Sequence, residues 1–376
     1  MSSLFCRINT DRSETDVLLE NMFAGGSPAA CWLIGGGPSF DQSMADLISV
    51  TPAPRMCINL AGAGLIRPNF WTSYDPSMRF HKSIYLDPSV MKFVHKRRSL
   101  DLVPESSFKV CDCPNLYFFE RHRDRQFVDF VASSHTGIVD WSDSMMQSID
   151  ILYRLGFRII YLVGCEMMVR PSEAQQERAE EKGVGYEPQE LLKGFLKRCE
   201  EKGLSTDELE AVERERQYHF VETKPLRAAA NADSHYFRMS QYLRLCRRAM
   251  SLAGLQLISV TPESRLNDYF PCLGVEEAVM EIHQRTGNPT EETTEGLYQQ
   301  LTDRRGNFQG PMRDFRTPVN LSMKSRKEPP KPAGGNEFLV EAEGFEDVDE
   351  LPENHEYLQK ELNEMKRNRV EVVEGD

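Results

Sequence analysis

Short apolar runs separated by longer amphipathic stretches recur along the chain up to residue 260, and they predict strands that alternate with helices. The predicted strands are residues 30–34, 55–59, 70–73, 83–86, 108–111, 116–119, 158–166 and 255–260. The predicted helices are residues 41–48, 88–96, 144–155, 231–253 and 275–285. This alternation is typical of βαβ units. We therefore expect an α/β, Rossmann-like fold whose mainly parallel, doubly wound sheet carries helices on both faces.

The flanking and inserted segments differ in composition from this pattern. Residues 1–28 predict an irregular lead-in with a short helix at 14–22, ahead of a main domain at 29–286. Within that domain, residues 171–216 are rich in Glu, Lys, Gln and Arg. They predict a charged helical hairpin that acts as a lid or as a surface for a protein partner. Its apolar stripe consists of Leu191, Leu192, Phe195 and Leu196. Residues 287–335 predict a linker, and residues 336–376 a disordered acidic tail with a short helix at 356–367 that also offers a partner surface.

Composition and charge narrow the class of protein. The chain has 376 residues, 40% of them hydrophobic, and no run approaches the ~18 apolar residues of a membrane helix. The start of the chain has no apolar signal-peptide block either, so we expect a cytoplasmic protein without a membrane span. The net charge is −13, of which residues 331–376 carry −9. The near-neutral remainder argues against a broad nucleic-acid-binding face.

Cysteines and one charged segment offer little further chemistry. The nine cysteines are scattered, and Cys31, Cys57 and Cys165 lie within or beside predicted strands, as reduced buried thiols do. The pair Cys111 and Cys113 has no second pair at ligand spacing, so no metal site is expected. The charged segment 121–125 is typical of a solvated loop, or of a site for a phosphate or an acidic substrate.

The first predicted strand runs into the turn Gly35-Gly36-Gly37-Pro38-Ser39, whose composition suits phosphate binding. Glycines let a phosphate approach backbone N–H groups, and the following helix start adds partial positive charge. The turn lacks the Gly-Lys-Ser/Thr of a P-loop and, where Phe40 stands, the third glycine of the dinucleotide-binding pattern. The same residues are equally typical of a tight structural turn without a ligand.

Polar residues at other strand ends are expected to meet this turn in one crevice. Asn59, Asp75 and Glu166 each stand at or just beyond the end of a predicted strand, and ligands of parallel sheets bind beyond the carboxyl ends of the strands. Each residue also has a structural alternative. Asn59 would cap the next helix, Asp75 would form a turn with Pro76, and Glu166 would orient its own loop.

Two predicted helix starts carry candidate side chains. Ser142-Asp143-Ser144 precedes a stripe of Met145, Ile149, Leu152 and Leu155, and Gly156 ends that helix. Ser144 would either cap the helix or bind a ligand. His235, in Asn231-Ala232-Asp233-Ser234-His235-Tyr236, is either a general base or a capping or surface residue.

These segments, in this order, resemble the bacterial sialyltransferases of glycosyltransferase family 42 and related glycosyltransferase-like proteins of phages and bacteria. The resemblance spans residues 31–271 apart from the insertion. It rests on residues 34–40, 58–59, 74–77, 144–156, 160–166, 233–236 and 261–264. A more distant resemblance, through the Gly-x-Gly-Pro-Ser start, is to the archaeal 6-hydroxymethylpterin diphosphokinase-like family.

The resemblance implies a metal-independent transferase without a cofactor, acting on a nucleotide-sugar donor and a glycan or other hydroxyl acceptor. It implies that residues Gly35, Gly36, Gly37, Pro38, Ser39, Asn59, Asp75, Ser144 and Glu166 surround the donor, with His235 as general base. The chain departs from the family at Asp75, at Glu166 and after Glu166, where Arg170 would take the place of phosphate-binding tyrosines. The alternatives are an ATP- and Mg²⁺-dependent diphosphokinase of the pterin type and a non-catalytic scaffold on the same fold.

Overall fold

A mixed β-sheet forms the centre of the protein in the computed structural model, which describes residues 3–9, 11–24, 29–188, 190–213, 217–219 and 222–286. The strands are β1 (Phe5–Ile8), β2 (Glu14–Val17), β3 (Ala29–Ile34), β4 (Arg55–Ile58), β5 (Phe70–Thr72), β6 (Met91–His95), β7 (Leu116–Phe119), β8 (Arg121–His122), β9 (Ile138–Val139), β10 (Phe157–Val163), β11 (Gln217–His219), β12 (Glu222–Thr223) and β13 (Gln256–Ser259). The helices are α1 (Gln42–Ser49), α2 (Lys82–Leu86), α3 (Ser144–Leu155), α4 (Glu173–Glu180), α5 (Leu192–Glu201), α6 (Thr206–Val212), α7 (Leu226–Leu252) and α8 (Val275–Thr286).

The order of the strands places a switch in chain direction at β3. Among the described residues, nine strands form the sheet in the order β13-β10-β3-β4-β5-β6-β7-β1-β2. From β13 to β7 all neighbours are parallel, and only β1 and β2 are antiparallel at one edge. The chain moves from β3 through β4 to β7 on one side, and it adds β10 and β13 on the other. The expectation of an α/β fold with a mainly parallel sheet is confirmed.

Both faces of the sheet are buried, as the apolar runs require. In β3, Cys31 and Leu33 enter one core, while Trp32 and Ile34 enter the other. Side chains of α3 and α7 complete the first core, and those of α1 and α8 complete the second. The apolar run of β3 is thus explained by helices that cover the sheet on both sides.

Helix α3 forms where its capping and apolar pattern predict. The carboxylate of Asp143 accepts the N–H groups of Met145 and Met146, and Gly156 follows the last helical residue with a φ of 111°. The predicted stripe is buried against the sheet. A capped start, a left-handed end and one apolar face therefore agree in fixing this helix.

The described residues of the insertion at 171–216 form three helices rather than the two of a hairpin. Helices α4, α5 and α6 lie within it, and residues 214–216 fall outside the described part of the chain. Leu192, Phe195 and Leu196 are buried, as their stripe predicts. They form a separate small core with the first turns of α7. Capping boxes begin α4 and α6. These caps start separate helices within the charged stretch, which composition alone does not indicate.

Two predictions between residues 82 and 96 are wrong. Residues 83–86, predicted as a strand, lie in α2, and the predicted helix 88–96 contains β6. All five residues of β6 are buried because β5 and β7 flank it, so the alternation of a half-exposed strand is missing. Lys92 also obscures the strand in the sequence, because a lysine usually indicates an exposed position. Here its buried Nζ donates to the carbonyls of Asp87 (2.6 Å) and Val90 (3.0 Å). Burial lowers the pKa of Lys92 to about 8.

Two other short elements also differ from prediction. The predicted helix at 14–22 contains β2, which pairs with β1 at the edge of the sheet, so tertiary pairing overrides local preference. Residues 108–111, predicted as a strand, run from an isolated bridge at Lys109 into a 3₁₀ turn at Val110–Asp112. Helix α7 begins at Leu226, five residues before its predicted start at residue 231.

Several other expectations concern the termini and the bulk properties. The predicted linker at 287–335 and the acidic tail at 336–376 with its helix at 356–367 lie outside the described residues. No helix among the described residues is long and apolar enough to cross a membrane. All nine cysteines are free thiols, and only Cys272 is exposed.

Candidate functional site

A cleft of about 310 Å³ opens at the carboxyl ends of β3 and β10, where the direction of the chain switches. Parallel α/β sheets bind ligands at this position, because the loops on either side of the switch diverge and leave a crevice. The turn after β3 forms one wall, and the loop after β10 lies beside it. The first residues of α3 and the middle of α7 close the opposite side.

Most backbone N–H groups of the glycine turn already form hydrogen bonds within the protein. Gly35 and Gly37 donate to carbonyls at the end of β10, at 2.8 Å each. Ser39 donates its N–H to the Glu166 carboxylate at 2.7 Å, while its Oγ is buried without a partner among the described residues. Of the turn's donors, the Gly36 N–H has no hydrogen-bond partner in the described part of the chain. The turn therefore offers a ligand one N–H group and not a full anion-binding ring.

The carboxylate of Glu166 occupies the space above Gly37. A Cβ atom at Gly37 would lie 1.3 Å from Glu166 Oε2, so only glycine admits the carboxylate there. At Gly35 the constraint comes from the backbone, since a Cβ would lie 2.4 Å from the carbonyl oxygen of Gly164. The glycines are thus required by the close approach of β3 and β10 and by an internal carboxylate.

The segment after β13 holds the loop that carries Glu166 through hydrogen bonds. Thr261 Oγ1 accepts the N–H of Cys165 at 3.0 Å, and Ser264 Oγ donates to the carbonyl of Cys165 at 2.6 Å. The N–H of Arg265 donates to the carbonyl of Glu166 at 3.0 Å. Burial raises the pKa of the Cys165 thiol well above its ordinary value, which makes it a poor nucleophile. The residues 261–264 noted in the sequence therefore fix the loop and do not themselves line the cleft.

The side chain of Asn59 is held by two hydroxyl groups. Ser73 Oγ and Ser144 Oγ both donate to Asn59 Oδ1, at 2.7 and 3.0 Å. Each hydroxyl in turn accepts a backbone N–H, from Asp75 and Tyr74 respectively, so its own proton is left for Asn59. Because Oδ1 is occupied, the NH₂ group of Asn59 is the part of the side chain available to a ligand. Ser144 acts here by orienting Asn59.

His235 reaches the cleft from α7 and contacts the start of α3. Its Nε2 lies 2.9 Å from Asp143 Oδ2, and its Nδ1 lies 3.0 Å from Nη2 of Arg238. The His235 side chain is 30% exposed, and that of Asp143 is 11% exposed. An imidazole that is partly open to solvent and held by a carboxylate has the arrangement of a general base.

A buried ion pair lies behind His235 and fixes the helix that carries it. Asp233 accepts from Arg265 Nη1 at 2.8 Å, and both side chains are almost fully buried. The same carboxylate accepts the N–H groups of Val169 and Leu192, at 2.9 Å each. Asp233 therefore joins α7 to the loop after β10 and to the start of α5. The acid two residues before His235 has a structural role.

Charged side chains of both signs line the cleft. Asp75 forms an ion pair with Arg79 at 3.1 Å, and both line the cleft together with Lys224. Arg121 lies over the ring of Tyr74, which also lines the cleft, at 4.9 Å. Arg79 and Lys224 add two positive charges to the cleft that Asn59 also lines. This group suits a ligand with one phosphate or carboxylate.

Left-handed backbone conformations cluster around the cleft. Asn59, Ser142 and Met167 line it with φ values of 54°, 64° and 54°, and Trp141 beside them has a φ of 43°. Each non-glycine residue in this region costs roughly 1–2 kcal/mol. Such conformations concentrate where the fold holds side chains in place for function.

Most predicted site residues come together. Those that line the cleft are Gly35, Gly36, Gly37, Pro38, Asn59, Asp75, Ser144, Glu166 and His235. Ser39 and Arg170 are not among the lining residues. Ser39 contacts Glu166 behind the wall, and Arg170 forms an ion pair with Glu263.

Sequence reasoning missed four lining residues that carry charge or polarity: Asp143, Lys224, Tyr74 and Arg79. The sequence predicts Asp143 only as part of the cap of α3. Its place at a helix start, beside the candidate Ser144, is the feature of the sequence that could have indicated a role in the site. Lys224 precedes α7 in a segment whose pattern predicts no element, so nothing in the sequence marks it. No residue of the charged segment 121–125 lines the cleft, and Arg121 forms two hydrogen bonds with Asp140 (2.5 and 2.9 Å).

Within the described residues, no group of three or more His, Cys, Asp or Glu side chains is placed to hold a metal ion. No family model, no curated protein and no solved structure matches the chain.

Proposed function

We propose that this protein is a Rossmann-like glycosyltransferase of bacterial or phage origin that acts in the cytoplasm. It would transfer a sugar from a nucleotide-activated donor to an acceptor hydroxyl, without a metal and with His235 as general base. The observation that carries the proposal is that His235 and the glycine turn, far apart in sequence, line the same cleft. The reaction requires a donor site and a base on either side of one transferred sugar.

The Rossmann-like assignment is supported by the order of the parallel strands. Read from β7 to β13, they follow the chain backwards to β3 and then continue with β10 and β13. In nucleotide-binding α/β folds with this switch, the ligand lies across the first strand and its neighbour. Here that position is the cleft.

Polar groups in the cleft suit the parts of a nucleotide-sugar donor. The Asn59 amide and the Gly36 N–H are hydrogen-bond donors, and Lys224 and Arg79 are cations, so these lining groups suit the phosphate. Glu166 presents a carboxylate that accepts hydrogen bonds, which suits hydroxyl groups of a ribose or a sugar. The volume of about 310 Å³ lies at the lower end of small-molecule sites and fits part of such a donor.

The transfer step needs one base and one leaving group. As the acceptor oxygen forms its bond to the anomeric carbon of the sugar, its O–H bond breaks and the proton passes to the ring of His235. The bond between the anomeric carbon and the donor phosphate oxygen breaks, and that oxygen keeps the electron pair. Hydrogen-bond donors and cations beside the phosphate stabilise the charge that develops there.

A thermal-shift screen with CMP-, UDP-, GDP- and dTDP-sugars and with ATP, each with and without Mg²⁺, tests the donor. Stabilisation by a nucleotide sugar without Mg²⁺ is expected. Stabilisation by ATP only with Mg²⁺ would replace the proposal with the diphosphokinase, and no stabilisation by any ligand would replace it with the scaffold.

Exchange of His235 tests the base. With the donor found by the screen, His235→Ala should reduce turnover about 10²-fold or more, because general-base catalysis contributes 10²–10⁴-fold. The thermal shift with the donor should persist, since His235 does not hold the phosphate in this scheme. His283→Ala, an exposed histidine of α8, is the matched control. Unchanged turnover in His235→Ala would remove His235 from the reaction.

A further inference from the structure

We propose that Asp143 is a positioning residue that holds the proton of His235 on Nε2 and so makes Nδ1 the nitrogen that accepts the acceptor's proton. The proposal deepens the proposed function and rests on it only for that last proton transfer. The tautomer itself follows from hydrogen-bond geometry at the junction of α3 and α7.

Both oxygens of the Asp143 carboxylate are engaged as acceptors. Oδ1 accepts the N–H groups of Met145 at 2.8 Å and Met146 at 3.0 Å, which fixes the side chain at the start of α3. Oδ2 is then directed at His235 Nε2, 2.9 Å away. A carboxylate accepts only, so Nε2 must be the donor in this contact.

The opposite ring nitrogen gives the same answer independently. Nδ1 of His235 lies 3.0 Å from Nη2 of Arg238, and a guanidinium group only donates hydrogen bonds. Nδ1 therefore accepts and carries no proton. A neutral imidazole has one donor and one acceptor nitrogen, and this tautomer satisfies Asp143 and Arg238 together.

Arg238 marks the side from which an acceptor hydroxyl approaches. It is exposed and lies three residues after His235 on α7, so its contact with Nδ1 is at the protein surface. A hydroxyl that replaces the guanidinium donates to Nδ1 in the same way. When the acceptor oxygen bonds to the sugar and the donor phosphate leaves with the electron pair, the proton moves to Nδ1. The resulting imidazolium then lies against Asp143.

Asparagine at position 143 separates this role from helix capping. Asn is as good an N-cap as Asp, so Asp143→Asn should leave α3 intact. Its amide NH₂ would face Nε2 and donate to it, which forces the His235 proton onto Nδ1. Asp143→Ser also caps the helix but is too short to reach the ring, so only the exposed contact with Arg238 still favours Nε2–H, and a fraction of Nδ1–H should appear beside it.

The tautomer is measured by NMR on the full chain labelled with ¹⁵N-histidine, from the two-bond couplings between ring nitrogens and carbon-bound protons. The signals of His235 among the eight histidines are assigned by their loss in His235→Gln. We expect Nε2–H in the wild type, Nδ1–H in Asp143→Asn and a mixture in Asp143→Ser. Asp46→Asn, the same exchange on the exposed face of α1, should keep Nε2–H.

Nδ1–H in the wild type, or Nε2–H retained in Asp143→Asn, would overturn the assignment of Asp143. This readout needs no substrate, so its failure is distinct from failure of the transferase proposal. With a donor in hand, Asp143→Asn should lower kcat about 10²-fold or more, as expected for a base in the wrong tautomer, and leave the donor KM within about twofold. An unchanged kcat with a switched tautomer would overturn Nδ1 as the base.

Discussion

Replacement of Gly37 by alanine is expected to expel the carboxylate of Glu166 from the glycine turn. The new Cβ would lie 1.3 Å from Oε2 and 2.3 Å from Cδ, far inside any van der Waals contact. Both are atoms at the far end of a side chain, so the carboxylate can swing away while the backbone stays in place. The hydrogen bond from the Ser39 N–H to Oε1 is then lost.

The cost follows from that one bond. A hydrogen bond to a charged group contributes about 1.5–3 kcal/mol, so Gly37→Ala should lower the free energy of unfolding by about 2 kcal/mol. Glu166→Ala removes the same bond and should cost about the same. In the double variant the Ser39–Glu166 hydrogen bond is lost only once, and the alanine Cβ at position 37 no longer meets a carboxylate. It should therefore lose about 2 kcal/mol, with a coupling of about 2 kcal/mol between the two sites.

Urea unfolding of the wild type, the two single variants and the double variant measures this coupling. Gly185→Ala is the matched control, because no atom lies within 4 Å of its added Cβ. It should change the free energy of unfolding by less than about 0.5 kcal/mol. If the losses at Gly37 and Glu166 add to about 4 kcal/mol, the glycine is not required by the carboxylate and the reasoning fails.

Three further predictions concern the framework of the site. Gly35→Ala should destabilise the fold more than Gly37→Ala in urea unfolding, since its Cβ meets the backbone of Gly164, which no second substitution removes. Burial lowers the pKa of His95 to about 3, and the positive charges of nearby arginines add to this effect. At pH 5 the unfolded chain therefore binds a proton at His95 that the folded chain does not. The free energy of unfolding should therefore fall by about 2 kcal/mol between pH 7 and pH 5 on account of this group; His95→Asn, which retains a capping acceptor, should lose that share, and an equal pH dependence in both forms would contradict it. Asp233→Asn leaves the Arg265 charge buried without its partner and should cost about 3–5 kcal/mol in thermal or urea unfolding, whereas a loss below about 1 kcal/mol would show the pair to be dispensable.

The parts of the fold that sequence predicts well are those where local and tertiary signals agree. Residues 30–34 and 159–163 are continuous apolar runs, and each lies in a strand covered on both faces at the centre of the sheet. Helix α3 carries its cap, its stripe and its terminal glycine within its own sequence. Strand β6 fails because Lys92 interrupts a short run, and the carbonyls that accept its Nζ are known only from the folded loop.

The sequence predicts which residues belong to the candidate site, but not which contacts they make. Strand ends and the family resemblance bring Asn59, Glu166 and His235 to the same cleft. That Glu166 fills the space above Gly37 depends on how closely β3 and β10 approach, which no local pattern encodes. The pairing of His235 with Asp143 likewise joins helices that are distant in the chain.

The contacts of Asp233 restrict how a substrate enters. To swing the three-helix insertion away from α7 at Leu192 would strip a fully buried carboxylate of one of its backbone donors and loosen its pairing with Arg265. Uncovering such a charge costs several kcal/mol, and His235 two residues further along would shift with it. We therefore expect the insertion to stay fixed to α7 at this contact, so that a substrate enters the cleft without displacing it.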